Sequence, residues 1–255
     1  MPKQQAFAAT AGILAAKDAM ESPTMLSDVR FWAAKSGLIQ GLRDIPLHFQ
    51  RRESYSQHGE DTFLLNTIFK DQGRPGRYLD IGASHPVRIS NTYLLHRKGW
   101  SGIIVEPISR LLRLHQRWRP RDTHVQCLIG ETDSVAEFFL MYPSVLSTTS
   151  PEQYERVVAA GYRLIERLEL PQLTLGTLLH KYGEGKRIDF ASVDIEGVDW
   201  IVAKQIAELD EKLVPRCLCI ESNDEDANLR VTSLLRNVYR NKKRMGANTI
   251  FWNEI

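Results

Sequence analysis

Residues 77–86 read Arg-Tyr-Leu-Asp-Ile-Gly-Ala-Ser-His-Pro. Arg77 to Ile81 is a short β-type run that carries Asp80 near its end, and Gly82-Ala83-Ser84 is a tight small-residue turn after it. Beyond Pro86, Ser90-Asn91-Thr92-Tyr93-Leu94-Leu95 opens a helix, with Ser90 as its expected N-cap. Ser101-Gly102-Ile103-Ile104-Val105-Glu106-Pro107 follows as a second strand, again ending in a carboxylate. Strand, small turn, helix, strand with a terminal acid is the first half of a nucleoside-binding α/β sheet. In such a sheet the small residues let the backbone approach a ligand, and Glu106 can accept hydrogen bonds from a ribose diol.

The remaining pattern extends that sheet in both directions. Leu111 to Trp118 reads as a helix and His124 to Ile129 as a third strand. An insertion over 131–187 then interrupts the alternation. Within it, Val135–Met141 and Arg163–Leu170 read as partner strands, Leu146–Pro151 as a loop, and Leu175–Tyr182 as a short helix capped by Thr174. The alternation resumes with Arg187–Asp194, the turn Ile195-Glu196-Gly197 and a helix through Leu209. Cys217–Glu221 is a further strand, followed by Ser222-Asn223-Asp224 and a helix from Glu225 to Asn237. Val238–Met245 and Asn248–Asn253 form a terminal hairpin around Gly246-Ala247. Residues 1–50 carry helical patterning at Ala6–Met20 and Leu26–Leu42, read as an extension that covers a sheet edge or a dimer surface. The expected division is therefore a helical extension over 1–50 and one α/β domain over 51–255.

Asp80, Glu106, Asp194 and Glu221 all stand at strand ends. Ligands of open α/β sheets bind outside the carboxyl ends of the strands, so the four acids are expected around one crevice. No Gly-x-Gly-x-x-Gly and no Gly-Lys-Ser/Thr follows a strand, so a pyrophosphate-containing dinucleotide fits less well than a nucleoside with a cationic or zwitterionic tail. The bulk composition is that of a globular protein, 43% hydrophobic and 25% charged. With 33 Lys+Arg against 31 Asp+Glu the net charge is +2, which gives no global attraction to nucleic acid. Arg110, Arg113, Arg117, Arg119 and Arg121 crowd one region and read as a solvated helix face. Three cysteines, Cys127, Cys217 and Cys219, form neither a disulfide framework nor a zinc spacing, which favours a reducing, cytoplasmic setting. No stretch reaches the roughly 18 apolar residues that span a bilayer.

Taken in order, Tyr55-Ser56-Gln57-His58-Gly59-Glu60-Asp61, Asp80-Ile81-Gly82-Ala83, Ser90-Asn91-Thr92, Gly99-Trp100-Ser101-Gly102, Glu106-Pro107 and Asp194-Ile195-Glu196-Gly197 closely resemble the FkbM family of S-adenosylmethionine-dependent methyltransferases. The resemblance runs from about residue 54 to the C-terminus. It implies a class I methyltransferase (Rossmann-like) fold, a seven-stranded sheet with the last strand antiparallel. It also implies that Asp80, Gly82 and Ala83 line the methionine end of the cofactor, that Glu106 with Pro107 holds the ribose, and that Cys127 to Ile129 flank the adenine. Ser56, Gln57, Glu60, Ser90, Asn91 and Asp194 are expected to contribute to the same pocket. Many members carry Asn after the Gly-Ala turn. Ser84-His85-Pro86 instead resembles a branch associated with polysaccharide and glycolipid synthesis.

The expected reaction is methyl transfer to a hydroxyl of a sugar, polysaccharide or glycolipid precursor. A sugar hydroxyl is a weak acid, so a general base or a metal must assist. Asp194 is the first candidate base and His85 the alternative. Asp194 and Glu221, with Asn223, could instead share a divalent cation such as Mg2+. Leu146–Pro151 and the insertion are expected to wall the acceptor site, and the N-terminal helices could support a homo-oligomer. Two other readings compete: a catalytically silent scaffold with this fold, and a nicotinamide-dependent oxidoreductase, since Glu106 suits any adenosine ribose.

Overall fold

A computed structural model describes residues 52–222 and 224–254. The helices expected within 1–50, the oligomer surface assigned to them, and Asn223 lie outside the described residues. A short helix α1 (Glu60–Phe63) runs into a π-helical turn, Leu64–Ile68. The main sheet then accumulates as β1 (Arg77–Ile81), α2 (Tyr93–Arg97), β2 (Ser101–Val105), α3 (Ser109–Trp118) and β3 (Thr123–Val125). After the insertion come β7 (Phe190–Val193), α6 (Asp199–Glu208), β8 (Cys217–Glu221), α7 (Glu225–Leu235), β9 (Asn241–Met245) and β10 (Asn248–Trp252). The strand order is β3-β2-β1-β7-β8-β10-β9. The first five lie parallel, and β10 runs antiparallel to both β8 and β9. This is the seven-stranded sheet with an antiparallel last strand that the sequence predicts.

Side-chain alternation distributes the strands' apolar residues over two cores. Leu79, Ile81, Ile103, Val105, Ala191, Val193, Leu218 and Ile220 point to one face, where Leu178, Val202, Ile206 and Leu235 of the helices cover them. Tyr78, Ile104, Phe190, Cys217, Cys219 and Ile250 point to the other, under Leu64, Leu95 and Leu112. Each such buried aliphatic contributes about 1.5–3 kcal/mol relative to exposure. Cys217 and Cys219 are buried and free, as their alternation within an apolar strand implies.

The third strand departs from expectation. His124–Ile129 is not continuous: β3 ends at Val125, and β4 (Leu128–Ile129) leaves the main sheet to pair with β6 (Arg163–Leu173). β6 also pairs antiparallel with β5 (Ser134–Tyr142), giving a three-stranded sheet β4-β6-β5 with α4 (Pro151–Ala159) between its long strands. Helix α5 (Leu175–Tyr182) leads back to β7, and the Thr174 hydroxyl caps it by accepting the Thr177 N–H at 3.1 Å. The insertion thus rises from the end of β3 over the carboxyl edge of the sheet.

The first and last described segments are tied together. Glu60 is fully buried and accepts from the Asn248 side chain at 2.7 Å, and His58 sits against Gly246 in the β9–β10 turn. No helix among the described residues is long and apolar enough to cross a membrane.

Candidate active site

A cavity of about 290 Å3 opens at the carboxyl ends of β1, β2 and β7, beneath the insertion. Its floor is the turn after β1. Gly82 has φ of +74°, and a Cβ built there would lie 1.8 Å from the Asp194 carbonyl oxygen, so only glycine lets the β1 and β7 turns meet. Ser84 also takes a left-handed backbone, φ 48°, and both of its peptide groups are pinned. Its N–H donates to Glu106 Oε2 at 2.8 Å, and its carbonyl accepts from His115 Nε2 at 3.1 Å.

Glu106 is buried, and its second oxygen accepts the Ile108 N–H at 2.7 Å. Burial pushes its pKa up to about 8, against these two backbone bonds. Each carboxyl oxygen accepts one backbone N–H, which leaves each with further hydrogen-bonding capacity. Around it Pro107, Ile108, Leu111, Cys127, Leu128, Ile129 and Phe138 supply a largely apolar wall. Asp80 lines the same cavity and accepts a short hydrogen bond from Thr92. Thr92, not Ser90, precedes α2, and its hydroxyl is spent on Asp80. Ser90 caps from two residues back, accepting the Tyr93 N–H at 3.2 Å. Asn91 donates to Ser192 at 3.0 Å.

At the β7 end, ligand oxygens of Asp194, Glu196 and Glu221 all lie within 4.8 Å of one another. Asp194 and Glu196 line the cavity, whereas Glu221 stands behind them. Three of the four strand-end acids therefore meet the crevice directly, and the fourth backs one of them. Desolvation first, then the charges of Asp194, Glu196 and Asp199, push Glu221 up to about 11, so it holds a proton and hydrogen-bonds Asp194. The Asp194 side chain is open to the cavity. The packed protein around it still raises its pKa, with the Glu221 hydrogen bond pulling it back. Asp199, pushed up to about 7 by burial, shapes this loop by accepting the Ile195 and Gly197 N–H groups at 2.9 and 3.1 Å. Those bonds hold Glu196 at φ 54°.

The cleft thus has a largely apolar wall beside Glu106 and an exposed acid, Asp194, at the end of β7. The family described as Methyltransferase FkbM domain matches residues 80–237, more than half of the chain. The chain belongs to the FkbM methyltransferase family. No curated protein matches it. Among solved structures it is similar to the 1,6-didemethyltoxoflavin-N1-methyltransferase of Burkholderia thailandensis, solved with 1,6-didemethyltoxoflavin and S-adenosylhomocysteine bound. The identity is 14%, over 91% of this chain and 90% of that one, with a TM-score of 0.37. It is also similar to a TehB-like SAM-dependent methyltransferase from Corynebacterium glutamicum, at 10% identity over 87% and 99% of the two chains and a TM-score of 0.39.

Within this FkbM-family site, Asp80, Gly82, Ala83, His85, Ser90, Asn91, Glu106, Pro107, Ile129 and Asp194 all line the cavity. Ser56, Gln57 and Glu60 are not among its lining residues. Ser56 donates to Asp61 at 2.9 Å, Gln57 is exposed, and Glu60 is spent on the His58 N–H at 2.8 Å and on Asn248. Of the three, Glu60 joins the first segment to the last, through Asn248. His85 is buried, and its Nδ1 accepts the Val87 and Arg88 N–H groups, both at 3.1 Å. With Nδ1 accepting, the ring proton sits on Nε2, and that nitrogen has no exposed surface, so His85 offers no base to the cavity.

Arg119 corrects the reading of the arginine cluster. Arg113, Arg117 and Arg121 are exposed, but Arg119 is 0% exposed. Its Nε donates to Asp122 at 2.8 Å, its guanidinium lies over the Tyr78 ring, and Nη1 is 3.7 Å from Asp80. Burial raises the pKa of Asp80, and Arg119 is the strongest influence pulling it back. The legible signal was Arg119 and Asp122 three apart at a helix end. Asp199 and His115 also escaped the sequence reading, since each acts through backbone groups.

The raised acids give the ligand-free protein a defined pH response. Glu106 and Glu221 keep protons in the folded state that they release when unfolded at their ordinary value of 4.5. Folding therefore binds protons, and stability falls as pH rises from about 4.5 through 8. Melting temperature is expected to drop over that window, and Glu221→Gln, which mimics the protonated acid, is expected to flatten the slope and raise stability at pH 8. Thermal melts across pH 5–9 check this.

Proposed function

We propose that this chain transfers the methyl group of S-adenosylmethionine to a hydroxyl of a sugar, polysaccharide or glycolipid precursor. The observation that carries the reading is Asp194. It is a carboxylate open to the cavity at the end of β7, its backbone packed on Gly82, with the proton-bearing Glu221 behind it. The residues fit the cofactor's chemistry: paired lone pairs on Glu106 for a diol, an apolar wall for adenine, a close-approach glycine, and Asp80 for an ammonium.

Bound S-adenosylmethionine supplies a sulfonium-activated methyl group, already poised for in-line displacement. The protein's tasks are then alignment and removal of the acceptor proton. Glu106 and Asp80 would fix the two ends of the cofactor. Asp194 would accept the acceptor's hydroxyl hydrogen bond and then its proton, while the Glu221 O–H stabilises Asp194 in its charged form. Thr148 and Thr149 on the insertion would wall the acceptor side. The Asp194, Glu196 and Glu221 oxygens are also a hard donor set of the kind that suits Mg2+; these three residues would hold it, Glu221 giving up its proton, and the cation would supply Lewis-acid stabilisation of negative charge on the acceptor oxygen.

Calorimetric titration with S-adenosylmethionine tests the cofactor, and absence of binding at millimolar concentration removes the reading. Asp194→Asn is expected to lower transfer to a glycan hydroxyl by about 10²–10⁴-fold while S-adenosylhomocysteine affinity stays within about threefold. For the cation, millimolar Mg2+ is expected to raise the melting temperature of the native chain and leave Glu221→Gln unmoved.

A further inference from the structure

A second cavity, about 530 Å3, opens at the opposite end of the main sheet, where the parallel strands begin. Arg74 and Arg77 reach it from the start of β1, Lys186 and Arg187 from the turn before β7, and Arg216 from the turn before β8. The acids on its wall are Asp189 and Glu254. Asp189 is buried and already consumed: it accepts the Arg77 N–H at 2.8 Å and pairs with Arg216 at 3.2 Å. Glu184, beside the cavity, pairs with Lys186 at 2.7 Å and lies 3.8 Å from Arg77. Among the described residues, four cations thus face two carboxylates, Glu184 and Glu254, once Asp189 and Arg216 are matched.

The guanidinium groups are held in place without being used up. Arg77 Nη1 donates to the Gly183 carbonyl at 3.1 Å and Arg187 Nε to the Val214 carbonyl at 3.3 Å. Each side chain has five N–H donors, so most of the fork stays available. Arg74 is exposed and has no ion pair among the described residues. A concavity lined by one sign of charge focuses the field and concentrates counter-ions, and planar guanidinium forks match phosphate oxygens two at a time. The cavity's size is that of a small-ligand site.

We propose that this cavity binds a phosphorylated small ligand of at least two negative charges, with Arg74, Arg77 and Arg187 as its phosphate donors. It stands at the far end of the sheet from the methyl site and does not depend on the methyl-transfer reading. Calorimetric titration of the full chain with inorganic pyrophosphate at low salt tests it. The expected result is saturable one-to-one binding that weakens at least tenfold in Arg74→Gln/Arg187→Gln and at least fivefold in Arg74→Glu. The second variant alters one exposed side chain only, so loss of folding cannot explain its effect. S-adenosylhomocysteine affinity measured on the same variants is expected to be unchanged, which keeps the two sites separately testable. Absence of saturable binding at millimolar pyrophosphate, or equal affinity in Arg74→Glu and the native chain, overturns the proposal.

Discussion

Replacing Arg119 with methionine is expected to destabilise the folded chain by about 3–5 kcal/mol, read as a lowered midpoint in urea unfolding. The guanidinium has no exposed surface and neutralises two buried carboxylates, Asp122 at 2.8 Å and Asp80 at 3.7 Å. Asp122 ties three elements together. It accepts the Tyr78 hydroxyl at 2.7 Å and the Gly102 N–H at 3.1 Å, and it faces His96 at 3.6 Å. Burial disfavours its charged form, yet His96 and Arg119 hold its carboxyl below the ordinary range. Without the guanidinium, Asp122 and Asp80 must each take up a proton or remain unpaired in the core. Asp122→Leu combined with Arg119→Met is expected to recover part of the loss, because the double variant leaves one buried acid where the single leaves two. Protonated Asp80 would also attract a cofactor ammonium less, so affinity for S-adenosylhomocysteine is expected to fall alongside stability.

Gly82→Ala is the second large effect. The residue pays twice: a left-handed backbone costs about 1–2 kcal/mol for any side chain, and overpacking commonly costs about 1–3 kcal/mol more. Here the obstructing atom is a backbone carbonyl at 1.8 Å, which belongs to Asp194 and cannot rotate away. The β1 and β7 turns must separate, and Asp194 moves with them. The expected outcome is a loss of about 3–5 kcal/mol in unfolding free energy together with loss of detectable cofactor binding in calorimetry. Gly161→Ala is a fair comparator: its φ is 88°, but no atom lies within 4 Å of the added carbon, so only the backbone cost is expected.

The sheet was legible because four of the five parallel strands are apolar runs closed by an acid and a turn, and both faces are covered. Asp80, Glu106 and Asp194 were legible for the same reason, since strand-end position alone delivers them to one crevice. The break in the third strand was not, because an apolar run such as His124–Ile129 carries no mark of which sheet each half will join. Val125 continues the main sheet and Leu128 turns to β6, a choice made by the insertion's long hairpin. Arg119 was misread because spacing on a helix cannot show that the last turn folds inward onto an acid three residues later. Ser56 and Glu60 were expected at the cofactor because the resemblance implies it. Their partners, Asp61 and Asn248, satisfy them locally, and the Asn248 bond spans 188 residues of sequence.

β10 is the final strand among the described residues, yet it lies inside the sheet between β8 and β9. During synthesis β8 therefore waits with an unpaired edge until β10 has been made, and the antiparallel pairing of Trp252 with Cys217 can form only then. The bond from Asn248 to Glu60 comes equally late. This half of the sheet closes only once β10 is in place, and a nascent chain that stops short of it presents the edge of Cys217–Glu221 to whatever strand is nearest.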